Sequence, residues 1–146
     1  MNTILIACDH AGFELKEFLK KALQAENYTF EDYGTFSRAS MDYPDTIHPL
    51  AKDINSGKYP LGIIICGTGN GANMVANKYP FVRSALCWCT EIAALARQHN
   101  NANIAALPAH FISKETALEI VHVFLATPFE GGRHVCRVDK INSILK

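Results

Sequence analysis

The run Leu61-Gly62-Ile63-Ile64-Ile65-Cys66 carries no polar side chain, and Thr3-Ile4-Leu5-Ile6-Ala7-Cys8 has only its opening threonine. Alternate residues of a strand face opposite sides of a sheet, so a strand apolar throughout must be covered on both faces, as strands of parallel sheets between helical layers are. After the first run, Leu15, Phe18, Leu19, Ala22 and Leu23 share one helical face. Further strands are expected at Tyr28–Tyr33, Arg83–Cys87 and Asn103–Leu107, each leading into a helix. The clearest helices are Pro44–Asn55, Thr90–His99 and Ser113–Ala126, with Ser113 and Thr90 as expected N-caps and Glu91 well placed in a first turn. Val138, Ile141, Ile144 and Leu145 recur at helical spacing and predict a last helix docked on the body or on a partner chain. This order implies a Rossmann-like three-layer α/β/α architecture with a mostly parallel five-stranded sheet and a C-terminal helix.

The 146 residues suit a single domain, assigned to residues 1–146, large enough to bury its own core. The 14 lysines and arginines balance 14 aspartates and glutamates, so no charge excess favours nucleic acid or an anionic membrane, and a small ligand is the expected partner. The longest apolar stretches, Leu61–Cys66 and Val123–Ala126, are too short to span a bilayer. Asp9 and His10 arrive before an apolar signal region can develop, so a soluble, cytoplasmic chain is expected. Its five cysteines then read as reduced thiols and not as a disulfide framework.

Ligands of parallel α/β sheets bind beyond the carboxyl ends of the strands, and two of these ends carry chemistry here. One is Asp9-His10-Ala11-Gly12; the other is Gly67-Thr68-Gly69-Asn70-Gly71, ahead of a helix expected to start near Ala72. Its glycines let successive N–H groups turn inward beside a helix start, a cradle for an anion or a developing oxyanion. Cys66 sits at the edge, either as a thiolate base or nucleophile favoured by the helix end, or as a buried residue of a tight turn. Asp9 and His10 read equally as an acid/base pair or as cap and turn residues. His99 reads as an imidazole offered to a ligand or as a complement to its helix dipole. Arg133 and Arg137, four positions apart, form a fork suited to phosphate or a solvated basic face. Cys87 and Cys89 make a poor metal site and read as packing, while His48, His122 and His134 read as structural.

Five ordered segments make the pattern more specific: Cys8-Asp9-His10-Ala11-Gly12, Asp42-Tyr43-Pro44, Cys66 to Gly71 with Ala76-Asn77-Lys78, Arg97 to Asn103, and Phe129-Glu130-Gly131-Gly132-Arg133-His134 leading to Arg137-Val138. With these the chain resembles the B-type ribose-5-phosphate isomerases, a family that includes allose-6-phosphate and galactose-6-phosphate isomerases. The resemblance implies a cofactor-free and metal-free aldose–ketose isomerase acting on ribose 5-phosphate and ribulose 5-phosphate. It also implies a homodimer or dimer of dimers with sites shared between subunits. By the same resemblance Cys66 is the base, Thr68 orients substrate or thiol, and the backbone of Gly67, Gly69, Asn70 and Gly71 holds the oxyanion. His99 of a second subunit opens the sugar ring and Asp9 handles the hydroxyl. His10, Arg133 and Arg137 grip the phosphate, and Tyr43 and Asn100 contact the sugar.

The chain departs from its relatives at His110, where many carry a phosphate-binding arginine that reaches across from the partner subunit, and His110 is expected to replace it. It departs also at Trp88-Cys89, where many have His-Asp, and at Asn73, where many have a smaller residue. Cys66 is expected to be partly exposed and to alkylate faster than Cys8, Cys87, Cys89 or Cys136. The alternatives are a hexose 6-phosphate isomerase of the same family and a non-catalytic phosphosugar- or nucleotide-binding module, which would not need Cys66.

Overall fold

Each apolar run pairs in register with its neighbours because every residue of it has a core to face. The computed structural model describes residues 3–145. β1 (Thr3–Cys8), β2 (Thr29–Asp32), β3 (Gly62–Cys66), β4 (Ser84–Leu86) and β5 (Ile104–Pro108) form one sheet in the order β2-β1-β3-β5-β4. All pairings are parallel, where a mostly parallel sheet was expected. The central strands β3 and β5 are buried at every position, whereas β2 alternates exposed and half-buried residues as an edge strand does.

The described residues form four α-helices that connect them, α1 (Phe13–Gln24), α2 (Pro44–Asn55), α3 (Asn70–Ala76) and α4 (Thr90–Asn100), and two that follow β5, α5 (Lys114–Ala126) and α6 (His134–Asp139). Ile4, Ile6 and Cys8 of β1 face a core with Ile63, Ile65, Leu107 and the apolar sides of α1, α4 and α5. Leu5, Ala7, Ile64 and Cys66 face the opposite core, closed by α2 and α3. The strict alternation of faces along β1 and β3 is why a three-layer sandwich forms. No described helix is long and apolar enough to cross a membrane.

Several local expectations change. Ser113 caps α5 as expected, its hydroxyl accepting the Thr116 N–H at 3.1 Å. Thr90, expected as an N-cap, is instead the first residue of α4, and extended Cys89 takes the cap position without a side-chain bond. The glycine-loop helix starts at Asn70, before Ala72. The expected last helix divides into α6 and a 3-10 segment, Lys140–Leu145, so its apolar residues follow two helical periods; the side chain of Leu145 lies outside the described residues.

The chain leaves β1 outward to β2, then crosses back over β1 to reach β3. That reversal opens a crevice beyond the carboxyl ends of β1 and β3, between the segments that start at Asp9 and Gly67.

Candidate active site

The crevice is built by short, fully specified turns. Asp9 is 7% exposed, and its Oδ1 accepts the Gly12 N–H at 3.1 Å while its own N–H donates to Ile65 O at 3.2 Å. Asp9 thus caps the 3-10 turn His10–Gly12 through one carboxylate oxygen. His10 accepts the Met41 N–H on Nδ1 at 3.2 Å, which leaves Nε2 to carry the proton of the neutral ring as an outward donor. Pro44 starts α2 with a preset φ, and Thr46 anchors that start by donating its hydroxyl to Cys8 O at 2.8 Å. Tyr43 is thereby laid over the glycine loop.

The glycines act through space as much as through conformation. A Cβ on Gly71 would stand 2.5 Å from Tyr43 Cζ, so only glycine admits the phenol there. Gly69 has φ +76°, and a Cβ would meet Leu86 Cδ1 at 2.5 Å, so the turn from β3 into α3 needs glycine on both counts. Thr68 turns its Oγ1 back to accept the Asn70 N–H at 3.2 Å. Cys66, at the floor, is 5% exposed, which corrects the expectation of a partly exposed thiol: the carboxyl end of a central strand is covered by the elements that follow it.

His110 stands in the same chain beside this loop. Its N–H donates to Gly67 O at 3.0 Å, the Ala109 N–H donates to Cys66 O at 2.9 Å, and its ring would lie 3.1 Å from a Cβ on Gly67. It thus lies on the Cys66 side of its own chain, where an approach from a partner was expected, because β5 pairs with β3 and delivers it.

A second group forms elsewhere. His99 and Asn100 end α4, Arg137 lies on α6, and Arg133 is the N-cap of α6, one position outside the helical face expected for it. His99 stacks on His134, with ring centroids 4.3 Å apart and planes 16° apart. These rings and Arg137 line a cavity of about 240 Å³. His134, read from sequence as structural, is 4% exposed, and burial, then the neighbouring His99, Arg133 and Arg137, hold its imidazole below the usual histidine range against the pull of Glu130. Its place between Arg133 and Arg137 in Gly-Gly-Arg-His was the available signal. His48 and His122 are structural as read, bonded to Tyr79 at 2.8 Å and Glu26 at 2.9 Å.

His99, Glu130 and His134 bring one ligand atom each within 4.8 Å of one another, the one such group among the described residues. Stacked rings point their nitrogens side by side and not at a common centre, and two arginines add positive charge, so an anion suits this pocket better than a cation. Of the other thiols, burial pushes Cys8 and Cys87 up to about 12, Cys89 is half-buried and Cys136 is exposed.

The two groups lie at opposite ends of the strands. β5 starts at Ile104 opposite Gly62 and ends at Pro108 opposite Cys66, whereas His99 and Asn100 end α4 ahead of the start of β5.

Residues 4–141 match the ribose/galactose isomerase family. The probable ribose-5-phosphate isomerase B of Mycoplasma genitalium is 44% identical over 94% of this chain and 92% of its own. Ribose-5-phosphate isomerase B of Escherichia coli (strain K12) is 38% identical over 99% of this chain and 97% of its own. Among solved structures, a ribose 5-phosphate isomerase of Thermotoga maritima superposes with TM-score 0.94 at 48% identity, covering 97% of this chain and 98% of that one. The Mycoplasma genitalium enzyme with bound ribulose 5-phosphate superposes with TM-score 0.93 at 41% identity, covering 98% of this chain and 95% of that one.

Proposed function

This chain belongs to the ribose/galactose isomerase family, and we propose on that footing that it interconverts ribose 5-phosphate and ribulose 5-phosphate, with residues 1–146 acting as one isomerase domain. The observation that carries the reading is buried Cys66 at the carboxyl end of β3, leading into the glycine loop, with Tyr43 against Gly71 of that loop and Asp9 bonded to Ile65 next to the thiol in sequence. Aldose–ketose exchange needs one base that takes the C2 proton and returns it to C1, and a thiolate at this strand end is placed for that work.

The cyclic sugar opens when His99 gives a proton to the ring oxygen while Asp9 takes one from the C1 hydroxyl. Cys66 then removes the C2 proton, the electron pair forms the C1–C2 double bond, and charge gathers on the former carbonyl oxygen. Backbone N–H groups between Gly67 and Gly71 stabilise that charge, and preorganised donors of this kind act most strongly where water is excluded. When Thr68 turns to substrate, it frees the Asn70 N–H that it otherwise caps. As the proton of the C2 hydroxyl passes to the C1 oxygen, Cys66 delivers its proton to C1 and the C2 carbonyl of the ketose forms. Phosphate is held by His10, whose Nε2 donates outward, by His110, and by Arg133 and Arg137. Tyr43 and Asn100 contact the sugar. Each step uses a side chain or backbone group of the protein.

The placement of Cys66 and His99 toward opposite ends of the strands supports a site shared between two copies, with His99, Asn100, Arg133 and Arg137 coming from the second, in a homodimer or dimer of dimers. The exposed Val135 and Ile141 beside that group supply apolar surface for such a contact. We place the activity in the cytoplasm, in pentose phosphate metabolism. A coupled isomerase assay with ribose 5-phosphate, allose 6-phosphate and galactose 6-phosphate tests the proposal. Preference for the pentose is expected; preference for a hexose reassigns the substrate, and binding without turnover of any of them leaves a phosphosugar-binding module.

A further inference from the structure

A cavity of about 890 Å³ opens at the amino ends of the strands, away from Cys66. Its wall carries the half-buried guanidinium groups of Arg83 and Arg97 with the rings of Tyr28, Tyr59 and Phe81, and its lining contains no aspartate or glutamate. Arg83 Nε donates to Asn101 O at 2.7 Å, and Arg97 Nε donates to Thr127 O at 3.0 Å with a terminal nitrogen donating to Ala102 O. These partners are neutral carbonyls. Among the described residues no carboxylate lies within salt-bridge distance of either arginine. Burial pulls both guanidinium groups below the usual arginine range, Arg83 adds to the pull on Arg97, and no acid opposes it. Charges drawn part-way out of water are ordinarily matched by opposite charge, and each guanidinium keeps N–H donors beyond those it has spent.

Phe81 adds an independent sign. Its N–H donates to Asn55 Oδ1 at 2.8 Å and its carbonyl accepts from Asn103 Nδ2 at 2.8 Å, so the backbone is clamped on both sides. The ring nevertheless stays 64% exposed at the cavity wall. A rigidly presented, uncovered aromatic beside unneutralised arginines fits a ligand that is anionic at one end and planar at the other. We propose that this cleft binds a nucleoside monophosphate, with Arg83 and Arg97 on the phosphate and Phe81 against the base.

AMP titrated calorimetrically into the full-length protein tests the site. Saturable binding of one AMP per chain is expected, retained in the Arg133→Ala/Arg137→Ala double variant, which removes both arginines of the phosphate grip assigned to the isomerase reaction. Phe81→Ala keeps the backbone clamps and should weaken AMP about tenfold, the size of one lost stacking platform. Arg83→Gln should weaken it at least as much, and inorganic phosphate alone should bind about tenfold more weakly than AMP for the same reason. Absence of saturable AMP binding, its loss in the double variant, wild-type affinity in Phe81→Ala, or phosphate binding as tightly as AMP would each overturn the proposal. Because the double variant reports on the cleft apart from the isomerase site, failure here leaves the proposed isomerisation untouched.

Discussion

Replacing Cys66 with alanine removes a thiol that is 5% exposed and sits at the floor of the crevice, without touching the residues assigned to phosphate. The expected outcome is loss of kcat by at least about 100-fold with KM nearly unchanged, as when a proton-transfer group is deleted and binding is left intact. Near-normal kcat would remove Cys66 from the reaction. Alkylation follows burial as well as chemistry: iodoacetamide should modify exposed Cys136 readily, while Cys8 and Cys87, pushed up to about 12, stay silent. Cys66 should react more slowly than Cys136 but be the one whose labelling ribose 5-phosphate suppresses, read by peptide mass spectrometry. His110 stands beside Gly67 in the crevice. KM for ribose 5-phosphate should therefore rise in His110→Ala and return toward the wild-type value in His110→Arg, whose guanidinium supplies more donors to a phosphate. Equal KM in the three proteins would detach His110 from the phosphate.

At the scale of elements, the turn from β3 into α3 and the stack of α4 on α6 carry most of the functional geometry. Gly69→Ala meets both a left-handed φ of +76° and Leu86 at 2.5 Å, so it should lower the unfolding free energy by about 1–3 kcal/mol, measured by urea denaturation. Ser113→Ala, which deletes the cap of α5, should cost about 1 kcal/mol by the same measurement. His134 makes stability respond to pH. Burial and its cationic neighbours hold its imidazole below the usual range, so below about pH 6.5 the unfolded chain takes up the proton more readily than the folded one. Its contribution is complete above that pH and is lost as pH falls toward the depressed folded value. In His134→Asn the acid side of the urea-midpoint profile should be flatter; an unchanged slope would show that His134 does not set it.

The whole molecule poses a problem that one chain does not solve, since Cys66 and His99 sit at opposite ends of β5. Cys66→Ala and His99→Ala chains, each inactive alone, should regain part of the activity when mixed under subunit exchange, because a mixed pair rebuilds one intact site. Demonstrated heterodimers without activity would place both residues in a site made by a single chain.

Apolar periodicity by itself determined the five strands, the principal helices and the two-sided burial of the sheet, because a residue's facing in a strand or helix follows from its position in the period. The Asp9 and Gly67 segments were marked by their place just after predicted strands, where parallel sheets bind ligands. Edge order, the division of the tail into α6 and a 3-10 segment, the own-chain position of His110 and the pairing of His99 with His134 were decided only by tertiary structure. Each depends on contacts between segments far apart in sequence, where no local preference specifies the partner. The burial of Cys66 belongs with them: a thiol at a strand end is exposed or covered according to which elements pack over that end, and α2, α3 and β5 cover it.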